Sequence, residues 1–428
     1  GPTANQLKFT VPFQGGEDGI RPDIVRVTGN EDTANTVEKG NISFDKAYIH
    51  PIWADIHSHY VSNNFTLIYI YDIQSGEELV VNIGNIDHHT TQISNLTFDF
   101  KEAYVYNKKS FLNLIQLPNV YDAGLVKYLQ VNETLNTNQT PCHSFFHRKF
   151  HKVRNVNNLI PTVKHIESIR KTRDEFLQYY DVETIGHVKK FDNFYIESLH
   201  QIEKNGIYTQ NGYEHSQYNI YTTTSRPSNT FNGVNYAALN KEDGSRDRFI
   251  SRFDEGKLVQ FDYDAYHPRI ISRLIGETIP NDVSGHQFLA NLYGVSRKEA
   301  KGITFRQLYG GVQDEYIHIP FFQKVSHFID LLWTKFNQNG FVETPMGRKL
   351  KNGNFKNMNK NKLFNYLLQA TETELNMKSI SKLNKYLSDK KTKLVLYTYD
   401  SYLLDVHPME IGLLNDIKIL IEEAGFIT

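Results

Sequence analysis

The sequence predicts an α+β chain of several domains, and three observations carry that expectation. Residues from about 41 to 158 show the short alternating runs of strands. Two long helical patterns follow between about 162 and 206, and from about 213 onward strands and helices mix. At 428 residues the chain can hold two to four domains, each with its own core. A hydrophobic fraction of 39%, with 27 Phe and 26 Tyr, argues against wholesale disorder. The single cysteine, Cys142, excludes an internal disulfide and fits a reducing compartment. With no signal peptide and no apolar run long enough to cross a bilayer, a soluble cytoplasmic protein without a membrane partner is expected.

Taken in order, residues 1 to about 40 are polar and Gly-rich and read as an extended arm. The leading Gly1-Pro2 reads as the scar of a protease cut and carries no weight. Phe65 to Tyr71 and Leu79 to Ile83 flank a Ser75-Gly76 turn and read as a hairpin. In CHSFFHRKFH, the residues Cys142, His143, His147 and His151 fall at helical spacing and could ligate zinc. Histidines four apart are common without metal, so a basic helix is the preferred reading. One helix is expected from about Thr162 to Tyr179. A second places Val188, Phe191, Tyr195, Leu199 and Ile202 on one face and stops at Asn205-Gly206. Lys plus Arg number 47 and Asp plus Glu 48, so global charge points to no partner. The segments 147 to 154 and 346 to 362 are nonetheless densely basic, either to neutralise phosphates or as a solvated surface loop.

The chemistry gathers in the last half of the chain. In SRKEAKGITFRQLYGG, residues 296 to 311, Arg297, Lys301, Phe305 and Tyr309 recur every four positions. On a helix each step advances the side chain only about 40°, which makes one slowly turning stripe. Two cations followed by two rings suit a nucleoside triphosphate, with phosphates on the cations and the base against a ring. The competing reading is an amphipathic helix with its aromatics in the core. Gly310-Gly311 ends the helix. Two strand-like runs, GKLVQFDYD and TKLVLYTYD, lead into Asp262 and Asp400. A lone aspartate at a strand end is usually a turn-former. Two matching ones can sit side by side on a sheet and hold two Mg²⁺ ions about 3.5–4 Å apart for in-line phosphoryl transfer.

The order of Asp262, then Arg297, Lys301, Phe305 and Tyr309, then Asp400 resembles motifs A, B and C of family A (DNA polymerase I-like) DNA polymerases. FDYDAYHPR (261 to 269) resembles the family's DYSQIELR, and YTYDSYLLD (397 to 405) resembles VHDELVLE. TSRPSNTFNGVNY (224 to 236) resembles TGRLSS…NLQN, ETPMGRK (343 to 349) resembles ETLFGRR, and NYLLQAT (365 to 371) resembles NAPMQGT. The likeness covers about 220 to 408.

It implies a right hand of palm, fingers and thumb, preceded by a degenerate 3′→5′ exonuclease-like α/β domain. The expected division is an arm (1–40), the exonuclease-like domain (41–158), thumb (159–212), palm (213–281 and 346–428) and fingers (282–345). The implied function is addition of dNTPs to a primer 3′-OH on a DNA template, with two Mg²⁺ ions held by Asp262, Asp400 and the carbonyl of Tyr263. By the same resemblance Arg297, Lys301, Phe305, Tyr309 and His267 would bind the nucleotide. Arg226, Arg246, Asn365, Gln369 and Arg348 would contact the primer-template. Replisome proteins are further expected partners, and the compact size suggests a phage-type enzyme working in the host cytoplasm. No flap-nuclease domain is expected ahead of it. The family usually adds a strand after motif C, so a longer natural chain is expected.

The departures matter as much. His267 stands where motif A has the glutamate that helps exclude ribonucleotides, and a bulky imidazole could still block a 2′-hydroxyl. Arg306 replaces a glycine, Ser401 the motif C glutamate and Tyr399 its histidine, leaving Asp264 or Asp405 to compensate. His286 lies near the family's phosphate-contacting histidine at a different spacing. No Asp-x-Glu precedes residue 160, and Asp55, Asp72, Asp87 and Asp122 lack that context, so proofreading is not expected. Two rival functions remain. One is a single-subunit RNA polymerase-like enzyme, towards which Ser401 leans and Phe305 does not. The other is a catalytically inactive DNA-binding replisome scaffold, which would not need the metal pair.

Overall fold

In a computed structural model, residues 23–26, 36–37, 41–53, 65–82, 97–112, 117–135, 163–229, 242–424, 426 and 428 are described. The chain divides into two compact units, Gly1–Ile196 and Glu197–Thr428.

The first unit is built on a mixed seven-stranded sheet. Its strands are β1 (Asp23–Arg26), β2 (Thr36–Val37), β3 (Asn41–Trp53), β4 (Phe65–Asp72), β5 (Glu78–Asn82), β6 (Thr97–Val105) and β7 (Val120–Asp122), in the order β2-β1-β5-β4-β3-β6-β7. β3 pairs antiparallel with β4 and parallel with β6, which runs parallel to β7. The expected hairpin is present as β4 and β5, with Ile70 opposite Leu79. Asp72 accepts from Gly76 across its turn, and Gly76 takes the positive φ of 77° that the turn requires. Part of the expected N-terminal arm is instead sheet, because β1 pairs with β5 and satisfies the edge of the hairpin. Pro51 is tolerated in β3 because the pairing with β6 has already ended at Ile49 opposite Val105.

Short helices α1 (Lys108–Leu112) and α2 (Gly124–Val131) precede the two helices expected from periodicity. The first of these, α3 (Val163–Tyr179), buries Ile169 and Phe176, and the Phe176 ring meets Tyr48 at 5.2 Å and Tyr104 at 5.4 Å. The second is α4 (Val182–Phe191), a π-helical turn over Asp192–Glu197, and α5 (Ser198–Asn205). Val188, Phe191, Tyr195, Leu199 and Ile202 are all buried, and Gly206 ends the run at φ 64°. The Cys142, His143, His147 and His151 cluster and the basic segment 147–154 lie outside the described residues.

The second unit opens with α5 and continues with the small strands β8 (Ile207–Thr209), β9 (Gly212–Glu214), β10 (Tyr218–Asn219), β11 (Ser228–Asn229) and β12 (Phe249–Ile250). Next come β13 (Lys257–Asp262) and helices α6 (Tyr266–Leu274), α7 (Gly285–Tyr293), α8 (Arg297–Gly310) and α9 (Pro320–Asn339). A hairpin of β14 (Phe341–Glu343) and β15 (Lys349–Lys351) leads to α10 (Lys360–Leu387). The chain closes with β16 (Lys393–Thr398), β17 (Ser401–Val406) and α11 (Leu414–Glu422). The basic run 346 to 362 is therefore structured: it forms β15, a 3₁₀ turn at Asn352–Asn354 and the first turn of α10.

The central sheet has the order β13-β17-β16, all antiparallel. α10 packs against β16 and against α5, α6, α8, α9 and α11. It buries Leu363, Leu367, Leu383 and Leu387 together with an unusual polar set, Glu372, Glu374 and Asn376.

Candidate active site

β13 ends at Asp262, whose register partner is Ser401, the first residue of β17. Asp400 occupies the tight turn between β16 and β17, so a sheet of only three strands brings both carboxylates to one end. The Tyr263 amide donates to the Asp400 carbonyl at 3.0 Å, tying the two main chains together just beyond the ladder. The turn is held in a costly shape. Tyr399 sits at φ 51°, in the left-handed region a bulky side chain rarely adopts. Its carbonyl accepts from the Asn376 amide and from the Tyr397 hydroxyl at 3.1 Å. Asn376 in turn accepts from the hydroxyls of Tyr402 at 2.7 Å and Tyr266 at 3.2 Å. Asp400 is exposed at the turn, but partial desolvation by the surrounding chain pushes its carboxyl above the usual range, and the negative charges of Glu372 and Asp262 push it further. Like charges are thus gathered in one place, which is the electrostatic condition for holding a cation.

Asp262 and Ser401 share a partner: the Gln260 amide donates to Asp262 Oδ1 and to Ser401 Oγ, each at 2.8 Å. Arg246 reaches the Gln260 oxygen at 3.4 Å, so one side chain links it to the carboxylate. The two acids expected to compensate for Ser401 are committed elsewhere. Asp405 is fully buried and held by Ser251 and Arg252. Asp264 accepts from Arg269 at 2.8 Å and from the Gly285 amide at 2.9 Å, fixing the start of α7. Each is paired with an arginine, Asp405 with the half-buried Arg252 and Asp264 with the buried Arg269.

α8 shows the stripe that its spacing predicts. Ser296 caps it by accepting from the Glu299 amide. Ala300, Ile303, Thr304, Gln307 and Leu308 form the buried face. Arg297 and Lys301 are exposed, Phe305 is half-buried and Tyr309 is 39% exposed, so the aromatics are not core residues. The Phe305 and Tyr309 rings stack at 5.7 Å with planes 9° apart. His286, on α7, meets the Phe305 ring edge-on at 6.0 Å, and its Nδ1 has no hydrogen-bond partner. Burial and the charges of Lys301 and Arg297 hold its pKa below the usual imidazole range. Space brings His286 into line with the stripe where sequence spacing did not.

His267, in the first turn of α6, is not a free surface histidine. Its Nδ1 meets the Tyr309 hydroxyl at 2.5 Å and its Nε2 meets Glu372 Oε2 at 2.5 Å. Glu372 escaped the sequence reading, although Asn365, Gln369, Glu372 and Asn376 recur at 4, 3 and 4 residues and so share one face of α10. The Asn365 amide donates to the Tyr309 carbonyl at 3.2 Å, and Gln369 accepts from the Thr224 hydroxyl at 3.1 Å. Arg226, two residues on from Thr224, lies 3.5 Å from the centroid of the Tyr399 ring, with its Nε unpartnered. Arg348 is placed differently from the rest. It is buried, and its guanidinium donates to Ser225 Oγ, where it supports the Ser225-Arg226 segment rather than facing outward.

No protein-family model matches the chain, and no curated protein matches it. Among solved structures it is similar to the POL domain of Pol1 from M. smegmatis, determined in complex with DNA primer-template and dNTP. The TM-score is 0.62 at 12% sequence identity, over 89% of this chain and 92% of that one, a likeness of fold.

Proposed function

We propose that the chain is a template-directed DNA polymerase of the family A type, extending a primer 3′-OH with dNTPs. One observation carries the proposal: Asp262 and Asp400 stand at the same end of a three-stranded sheet, with the Arg297–Tyr309 stripe tethered to that end through His267. The fold likeness to a polymerase domain is a second, independent support.

In this reading the sheet is the palm and α7 to α9 are the fingers. Among the described residues no cluster of three or more His, Cys, Asp or Glu is arranged for a metal ion. Mg²⁺ suits such a site nevertheless, because it is commonly held by one or two carboxylates and completed by water and substrate phosphates. The mutual repulsion that raises Asp400 fits a bound cation. Asp262, Asp400 and the Tyr263 carbonyl would hold two Mg²⁺ ions, which when bound would acidify the 3′-hydroxyl and stabilise the triphosphate.

The protein's own groups supply position and charge. Arg297 and Lys301 draw the triphosphate along α8, and the neutral His286 beside them offers a further hydrogen bond. Phe305 provides a face for the base and sugar, with Tyr309 stacked behind it on the template side. Gln260 holds the exposed Asp262 carboxylate through one hydrogen bond, and Arg246 holds Gln260. Arg226, flattened on Tyr399, and the Asn365 and Gln369 amides face the primer-template.

We also propose that the first unit does not proofread. Two-metal excision needs free carboxylates on the central strands. There the structure has Tyr48 bonded to His50 at 2.8 Å, and Glu78 locked by Arg170 at 2.6 Å and by Tyr69 and Arg173. Asp122 is taken up by the Lys108 and Gly124 amides. Asp55 and Asp87 lie outside the described residues.

Primer extension with Mg²⁺, offering dNTPs and rNTPs separately, tests the reading beside Asp262→Ala and Asp400→Ala. Extension with dNTPs that either substitution abolishes is the expected result. A folded, DNA-binding protein that never extends a primer would be a scaffold, and one preferring rNTPs an RNA polymerase. Mg²⁺-dependent shortening of the primer would refute the absence of proofreading.

A further inference from the structure

The His267 ring is held from both sides by groups on different helices, and one of them is a carboxylate from α10, 105 residues away in sequence. The Glu372 side chain is 2% exposed and His267 is 15% exposed. A carboxylate buried to that degree needs a donor, and Nε2 of His267 is that donor.

The proton inventory then follows. Burial, reinforced by the negative charge of Glu372, pushes the Tyr309 phenol up to about 12, so it stays protonated near neutral pH. A neutral imidazole that donates from Nε2 to the acceptor-only carboxylate keeps a lone pair on Nδ1, and the Tyr309 hydroxyl donates into it. That leaves the imidazole proton on Nε2, pointing at Glu372. The chain Tyr309 O–H to Nδ1, then Nε2–H to Glu372, fixes the tautomer and the ring orientation together. A flipped ring would present carbon to both partners.

Resting on the polymerase reading, we propose that Glu372 is the positioning residue of the sugar pocket. It locks the His267 ring and, through it, the Tyr309 hydroxyl, so that the imidazole edge closes the space a ribose 2′-hydroxyl would need. His267 lies in the first turn of α6, five residues after Asp262, and is bonded to the end of the nucleotide stripe, so whatever lies against Phe305 with its phosphates on Arg297 and Lys301 presents its sugar near this ring. An imidazole free to rotate about two side-chain bonds would be a poor wall. One pinned at both nitrogens is a rigid one.

The test is single-nucleotide primer extension with the full chain, taking kcat and KM for a dNTP and for the rNTP of the same base. The variants are His267→Ala, Glu372→Gln, Glu372→Leu and the His267→Ala/Glu372→Leu pair. Glu372→Leu is expected to lower the dNTP-over-rNTP preference about tenfold, as for loss of a charge-assisted hydrogen bond. Glu372→Gln, whose amide oxygen still accepts from Nε2–H, keeps most of the preference, and the double variant falls no further than His267→Ala alone. A preference unchanged in Glu372→Leu, or losses that add fully in the double variant, would overturn the proposal. A second readout needs no activity. A slowly exchanging His267 Nε2–H resonance is expected by ¹⁵N NMR in the parent and in Glu372→Gln, and its absence from the parent overturns the proposal even if Glu372→Leu misfolds. A parent protein that shows this resonance yet extends no primer would remove the polymerase reading, and the assigned role of Glu372 with it.

Discussion

At Asp400, partial desolvation and the charges of Glu372 and Asp262 all disfavour the ionised form, so its pKa in the folded chain lies above that of an ordinary aspartate. The sign of the consequence follows by linkage. A group whose folded pKa is raised contributes stability that is present in full below the unfolded value and is lost as pH rises through the folded one. A divalent cation should restore that loss, because it binds only the ionised pair. Mg²⁺ is therefore expected to raise Tm at pH 8 and to do so much less at pH 5, measured by differential scanning calorimetry. Replacing Glu372 by Gln removes the larger of the two repulsive charges. The acid limb of the pH–rate profile should then move to lower pH, and a limb that stays in place would show that Asp400 does not set it.

Two helices carry the site, and they were legible to different degrees. The stripe on α8 could be read because all four of its members are long side chains of the two types that phosphates and bases need. Tertiary packing gave the core instead to Ala300, Ile303, Thr304, Gln307 and Leu308, which leaves the stripe outside it. Arg297→Ala and Lys301→Ala are each expected to raise KM for dNTPs about 10- to 100-fold, as for loss of a charge-assisted contact. Primer-template affinity, measured by fluorescence anisotropy, should change far less. The stripe on α10 was only half legible. Asn365 and Gln369 entered through a resembling motif, whereas Glu372 and Asn376 sit in a helix whose buried set is largely apolar, and a buried carboxylate reads there as an anomaly until its partner is known. Asn376 holds the Tyr399 turn and Glu372 holds His267, so the back half of the helix positions residues of the β16–β17 turn and of α6.

Over the whole molecule, buried ion pairs pin segments distant in sequence. In the first unit the Lys108 amine meets Asp192 Oδ1 at 2.5 Å with both side chains 1% exposed, and Asp192 also accepts from the Asp122 amide at 2.7 Å. Removing one partner leaves a buried charge without compensation, so Lys108→Met should cost about 3–5 kcal/mol in denaturant unfolding. The pair Lys108→Met/Asp192→Leu should recover part of it. If Lys108→Met proved neutral, the pair would not be the clasp its burial suggests.

The sequence by itself determined what is local and periodic: a hairpin about the Ser75-Gly76 turn, the helices ending at Tyr179 and Asn205, the α8 helix ended by Gly310-Gly311 and its stripe, and the two strand-to-aspartate runs. These follow from periods of 2 and 3.6 and from turn chemistry, which need only neighbours along the chain. Only the tertiary structure decided the rest. It paired the first β-strand with the hairpin edge, withdrew Asp264 and Asp405 into arginine contacts, turned Arg348 inward to Ser225, and closed Glu372 on His267 and Tyr309. An acid's availability depends on which cation it meets in space, and for these residues that partner comes from another element, which no spacing along the chain encodes.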